Sequence, residues 1–291
     1  MRAVGIAATT LWFIVGYATP RPVLAQDAKS EEAAPALERF TLSAALESYR
    51  WEEFSTSGTR LLEESGPRLR LTAALDNMQR SSDGGIYRLN ASVYGGQVDY
   101  DGQTQGGTPA TTDTNYFGYL FEGLGGFRFG AATGFDVLGG IVVEGWRREL
   151  LNGRTVTGVP VQGYTEDYLT ALGKIGLGGY YHAENWRAQL HLGAQRPLKT
   201  YERVYLSDAG FDDDVTLHPG RDTSGFARLQ VGVGPVTSRA FVALYYDGLR
   251  LKQSDTATVS SATLCGPTGI CTVTQPKSQR DIVGLEVGLA F

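Results

Sequence analysis

The side chains able to move protons fall in two acidic clusters far apart in the chain. Asp99 and Asp101 flank Tyr100, while Asp212, Asp213 and Asp214 precede His218, which is followed by Pro219, Gly220 and Asp222. A pair of carboxylates facing a His–Asp couple is general-base equipment able to activate a water. Asp99, Asp101, Asp214 and His218 are therefore the candidate catalytic set. The simpler reading of these acids is that they are solvated loop residues or hold divalent cations loosely. Asp212-Asp213-Asp214 lacks the Gly and the distal Glu of a calcium-binding hand. A second chemistry, lipid hydrolysis by a Ser and a His on an outer wall, has His182, His191 and His218 to draw on but no Gly-x-Ser-x-Gly. Cys265 and Cys271 enclose Gly-Pro-Thr-Gly-Ile, too few thiols for structural zinc and the wrong spacing for a Cys-x-x-Cys redox pair, so a local disulfide is expected. No metal and no cofactor follows from these residues.

The elements that must position them begin with an export address. After Arg2, residues 3–18 are apolar and uncharged, and Val23-Leu24-Ala25 suits a signal peptidase, which predicts a signal peptide over 1–25. The run is shorter than the ~20 residues of a spanning helix, and no Cys marks a lipoprotein. Residues 26–39 are expected to form a short periplasmic segment. A net charge of −5 gives no reason to expect nucleic acid as a partner.

From residue 40 the pattern has period two. Val283, Leu285, Val287, Leu289 and Phe291 alternate with Ile282, Gly284, Glu286, Gly288 and Ala290. Similar apolar rows begin at Phe40, Leu69, Tyr87, Phe117, Phe135, Leu169, Trp186, Ala227 and Ala240, which with the last makes ten. Connections alternate between long (52–66, 101–115, 151–167, 203–222, 253–279) and short (79–85, 130–134, 183–185, 235–238). Five long loops and four short turns are what an even-stranded membrane barrel with both ends periplasmic requires. A soluble sandwich has no reason to sort its loops this way. The expected fold over 40–291 is an all-β, ten-stranded, antiparallel up-and-down transmembrane β-barrel. Aromatics fall toward both strand ends: Phe127, Phe129, Phe135, Trp186 and Phe291 at the short turns, Tyr49, Trp51, Tyr116, Phe117, Tyr119 and Tyr246 toward the long loops, where two interfacial belts are expected.

The signal peptide, the alternating strands over 40–291 and the terminal Phe291 resemble the bacterial outer-membrane β-barrel proteins of porin-like kind. Tyr49-Arg50-Trp51-Glu52-Glu53-Phe54 and Arg60 through Pro67 resemble uncharacterised members. The resemblance implies a Gram-negative outer-membrane location reached through the Sec pathway, lipid and lipopolysaccharide as surroundings, and Phe291 as a signal for the barrel-assembly machinery. The strand count is also similar to that of the omptin proteases, whose pattern sets an acidic pair of the second external loop against an Asp/His pair of the fourth. The chain departs from that pattern, since position 216 is Thr and both Asp214 and Asp222 lie four residues from His218.

Alternation places Arg68, Arg70, Asp76, Arg88, Glu122, Arg128, Asp136, Glu144, Arg148, Lys174, Arg187, Arg228 and Glu286 in the lumen. Ten strands lie near the filled end of the barrel series, where ~8 strands hold little but side chains. Buried charges must pair. The expectation is thus a filled, charged lumen in a monomeric structural or surface-interaction protein, with a narrow, slightly anion-preferring channel as the sharper version. Extracellular loops would carry any ligand. Omptin-like proteolysis is the alternative, so enzymatic activity is not the leading expectation.

Overall fold

The computed structural model describes residues 39–78, 80, 82–104, 107–183, 185–234 and 239–291. The predicted signal peptide and nearly all of the predicted periplasmic segment lie outside these residues, as does the turn expected at 235–238.

Ten long strands form the wall: β1 (Arg39–Phe54), β2 (Arg60–Asp76), β3 (Gly84–Gln103), β4 (Pro109–Gly130), β5 (Thr133–Leu150), β6 (Thr165–His182), β7 (Trp186–Tyr205), β8 (Ser224–Val233), β9 (Arg239–Lys252) and β10 (Lys277–Ala290). Each pairs antiparallel with its neighbours in sequence, and β10 closes on β1 from Thr41↔Ala290 to Phe54↔Lys277. Closure removes the edge strands that would otherwise leave backbone groups unpaired in lipid.

The alternation read from the sequence sorts side chains between the two faces. Ile175 is 70% exposed on the outer wall, whereas Ile282 is 0% exposed in the lumen. Exposed Leu, Val, Ile and Phe girdle every strand, from Phe40, Leu42 and Leu46 on β1 to Val283, Leu285, Val287 and Leu289 on β10. A continuous apolar belt on a closed barrel is stable only against lipid, so the fold is a transmembrane barrel. At the base, β4 and β5 meet in a turn of only Ala131 and Ala132, which Gly130 makes possible by adopting φ +110°.

Two of the expected long loops are short. β1 and β2 remain paired to Phe54↔Arg60, and β3 and β4 to Gln103↔Pro109. The segments 52–66 and 101–115 resemble loops in sequence because both their faces are polar. Their backbones nonetheless continue the ladder above the belt. Strands of 20 residues such as β3 and β7 exceed the ~9–11 needed to cross a bilayer, so the barrel stands proud of the membrane on this side. There its outer wall carries ion pairs such as Arg147–Asp167 at 2.7 Å and Arg250–Asp281 at 2.7 Å.

The remaining connections are folded. Residues 153–155 pair with 160–161, and Ala257–Ser260 pairs with Ile270–Val273. The Cys265–Cys271 disulfide closes the tip of the second hairpin, with the Cα atoms 5.1 Å apart. Val204, Leu206, Phe211, Val215, Leu217 and Val259 bury a small apolar core that ties the loop after β7 to the loop before β10.

Candidate functional site

The lumen is occupied throughout the outer half of the barrel. Tyr49, Trp51 and Tyr116, expected in the outer aromatic belt, point inward and are at most 4% exposed. The correction follows from parity: with Phe40, Leu42 and Leu46 outward on β1, odd-numbered residues such as Tyr49 and Trp51 must face the lumen. The same rule turns Tyr116 inward while Phe117 and Tyr119 stay outside. Inside, Trp146 stacks on Tyr168 at 4.6 Å, and Trp51 meets Tyr168 edge-on at 5.8 Å. Such pairs add ~0.5–1.5 kcal/mol each beyond area burial. Gly118 provides the floor for Tyr94, since a Cβ there would come within 2.5 Å of its ring.

Charges thread this aromatic packing. Arg68 lies 4.1 Å above the Tyr49 ring and 4.5 Å above Tyr94 while its Nη2 donates to Glu47 at 2.7 Å. Glu47 also accepts from Arg70 Nε at 2.6 Å and from the Tyr245 hydroxyl at 2.7 Å. Arg280 donates two bonds of 2.8 Å to Glu144, which also accepts from the Tyr94 hydroxyl at 2.6 Å. Nearer the outer end, Arg148 is 1% exposed and serves three carboxylates: Glu64 at 2.8 Å, Glu166 at 2.6 Å and Glu53 at 3.5 Å. Glu64 is further held by the Thr114 hydroxyl at 2.8 Å and by Tyr116, and Glu53 by Trp51 Nε1 and Gln275 Nε2, both at 2.9 Å. Beside them Glu202 is 0% exposed, with neither carboxylate oxygen hydrogen-bonded.

Below the aromatic layer lies a cavity of about 120 Å³. Its wall includes Lys174, paired with Glu122 at 2.7 Å, and Arg228, paired with Glu286 at 2.7 Å. At the periplasmic end Arg128 makes a two-pronged contact with Asp136, both bonds 2.7 Å, and donates to the carbonyl of Met78 at 2.7 Å. His191 Nε2 stands 3.1 Å from the same Asp136.

Of the charges read from sequence as luminal, Arg68, Asp76, Arg128, Asp136, Glu144, Arg148, Lys174, Arg187 and Glu286 are buried and Arg70, Arg88, Glu122 and Arg228 half-buried, and they are not the whole set. Glu47, Glu53, Glu64, Glu166, Glu202, Asp247 and Arg280 also face the lumen, and with them basic groups no longer outnumber acidic ones among the described residues. An anion preference would need an excess of basic lumen groups, and that excess is absent among the described residues. Parity on β1, β2, β6, β9 and β10 would have found all of these except Glu202. That residue follows a register shift: Ala171 pairs with Lys199 and Leu172 with Pro197, so Leu198 is the extra residue of a bulge. Leu198 and Lys199 are consecutively exposed, and the inward phase of β7 passes from odd to even numbers.

The candidate catalytic set is spread over the outside of the barrel. Asp99 and Asp101 are exposed on the outer wall of β3, where Asp99 lies opposite Asp113 and Asp101 opposite Glu63. Asp214 accepts from the Ser207 hydroxyl at 2.7 Å and lies 3.6 Å from Arg203; the Ser207 bond holds its carboxyl below the usual carboxylate range. His218 pairs with neither Asp214 nor Asp222. Its Nδ1 stands 3.2 Å from Asp255, whose other oxygen accepts the His218 backbone N–H at 2.8 Å, a bond that lowers the Asp255 pKa. The Tyr201 ring lies 5.4 Å from the imidazole. Among the described residues no His, Cys, Asp or Glu group is arranged to hold a metal ion.

No protein-family model and no curated protein matches the chain. Solved structures do. The outer-membrane protease OmpT of Escherichia coli superposes with a TM-score of 0.55 over 87% of this chain and 95% of its own, at 8% identity. The transport unit of the autotransporter AIDA-I of Escherichia coli (TM-score 0.40, 9% identity, 91% and 92% covered) is also similar, as is OprG of Pseudomonas aeruginosa (TM-score 0.33, 10% identity, 86% and 94% covered). At these identities the likeness is one of architecture. The class that fold and belt define is the outer-membrane β-barrel.

Proposed function

We propose that the protein is a closed outer-membrane barrel serving as a structural and surface-interaction protein, with its folded outer loops as the contact surface. The observation that carries this reading is the outer plug: Tyr49, Trp51, Tyr94, Tyr116, Trp146 and Tyr168 pack across the lumen around the ion-paired Arg68, Arg148 and Arg280. A solute path would have to break several buried ion pairs, each costing kilocalories once one partner is left alone. That favours the structural reading over the narrow channel. Lipid and lipopolysaccharide would surround a monomer, and Phe291, exposed at the end of the wall with its N–H bound to the Phe40 carbonyl at 2.8 Å, would be read by the assembly machinery. Purified protein in planar bilayers is expected to show no single-channel steps, and vesicles containing it not to swell in small sugars. Regular conductance steps would refute the closed barrel.

A second reading, an omptin-like protease, draws support from the His218–Asp255 couple on the outer loops of a barrel similar to that of OmpT. In this geometry Asp255 takes the orienting role assigned in sequence to Asp214, and Asp99 and Asp101 would need a substrate reaching around the rim. Peptide cleavage by the wild type that is lost in His218→Ala would establish it. Absence of cleavage over a broad peptide mixture ends it.

A further inference from the structure

The two halves of the lumen differ in charge. Toward the outer end, Glu53, Glu64, Glu166 and Glu202 surround one guanidinium, that of Arg148. Toward the periplasmic end the balance reverses. There Asp136 is taken by Arg128, Glu286 by Arg228 and Glu122 by Lys174. Arg88 lines the cavity with its Nε buried and without a hydrogen-bond partner, and among the described residues no carboxylate is in ion-pair contact with it. Arg228 lines the same cavity, its Nη1 donating to Glu286 at 2.7 Å and its Nη2 to Gln230 at 3.1 Å. Nearer the mouth Arg187 is 1% exposed, and its Nε and Nη1 also lack partners. Gly232 leaves the room that Arg187 occupies, since a Cβ there would lie 3.0 Å from Nε. Asp76, opposite Arg88 in register, is the acid left to this group, and its Oδ1 is engaged by the Met78 N–H at 3.1 Å.

A guanidinium withdrawn from water without a counterion is among the costliest arrangements a protein can hold. Arg88 stands in the wall of the polar cavity with no ion pair among the described residues, which calls for negative charge from outside the chain. We propose that the periplasmic half of the lumen is a binding site for a small inorganic anion, a halide or an oxyanion of phosphate size, held in the 120 Å³ cavity by Arg88, with Lys174 and Arg228 lining the same space. Arg187 attracts the ion toward that cavity. The outer plug makes the site a blind chamber, so the anion enters and leaves from the periplasmic side. The site does not depend on whether the outer loops bind a partner or cleave peptides.

The test uses the full chain purified in nonionic detergent, titrated with sodium phosphate, sodium bromide or sodium gluconate at matched ionic strength. Phosphate or bromide is expected to raise the unfolding midpoint with the logarithmic concentration dependence of a ligand bound only by the folded state, while the bulkier gluconate does not. In Arg88→Gln the dissociation constant fitted to that dependence is expected to rise at least tenfold. In gluconate this variant should unfold no earlier than wild type, because it has lost an unpaired buried charge. An equal rise in gluconate, no rise with either small anion, or an unchanged fitted dissociation constant in Arg88→Gln overturns the proposal. Should Arg88→Gln not fold, wild-type crystals grown in bromide decide: an anomalous peak beside Arg88 supports the site, and its absence there rejects it.

Discussion

Replacing Arg148 with Met is expected to lower the unfolding free energy by about 3–5 kcal/mol, the range found when one member of a buried ion pair is removed. Arg148 is the guanidinium within ion-pair reach of Glu64, Glu166 and Glu53, and all three are almost fully buried. Without it three carboxylates and Glu202 crowd one another in a space closed to water, with only neutral donors such as Thr114, Tyr116, Trp51 and Gln275 left. The loss should show as a lower guanidinium midpoint in micelles at unchanged slope. Adding Glu64→Gln to Arg148→Met is expected to restore part of it, since it takes one negative charge from the cluster. A single variant that unfolds with wild type, or a double variant worse than the single, would show that water reaches the cluster and that the outer lumen is not the dry plug described.

The second large effect is expected at Trp51. Trp51→Ala removes a ring that is 1% exposed and touches both Trp146 and Tyr168, so it should cost about 3–5 kcal/mol. Trp51→Phe keeps most of the packing but takes the Nε1 donor from Glu53, which predicts a smaller loss of about 1–3 kcal/mol. Val156→Ala, on a loop where the side chain is 71% exposed, provides the comparison and should be nearly silent. If Trp51→Ala costs no more than that loop variant, the aromatic layer contributes filler and not cohesion. The ordering Ala worse than Phe separates the packing contribution from that of the hydrogen bond.

Much of the wall was legible beforehand because the strands follow one rule, period-two alternation, broken inside the belt-to-rim stretch of β7 by the bulge at Leu198. Val283, Leu285, Val287, Leu289 and Phe291 could be assigned to the lipid face from spacing alone, as could Arg68, Arg128 and Arg187 to the lumen. The rule was also sufficient for Tyr49, Trp51 and Tyr116, but only when carried past the apolar belt into segments where both faces are polar. Hydrophobicity ceases to discriminate there. Parity does not, and so 52–66 and 101–115 resembled loops while their backbones kept pairing.

Glu202 is different in kind. Its inward position depends on the extra residue at Leu198, beside a Pro197 that has no N–H to give the ladder, and alternation read without that bulge points it outward. The candidate catalytic residues likewise depended on which loops meet: His218 found Asp255, distant in sequence, in place of the nearer Asp214 and Asp222. The sequence by itself determined the strand number, the lipid face and most of the charged lumen, because these follow from local periodicity and from the closure it demands. Tertiary structure alone decided which charges share a partner, that acids gather around Arg148 and unpaired arginines at the opposite end, and which loops pack together. Those outcomes depend on contacts across a closed barrel between residues as far apart as Glu53 and Gln275, and no local pattern encodes that distance.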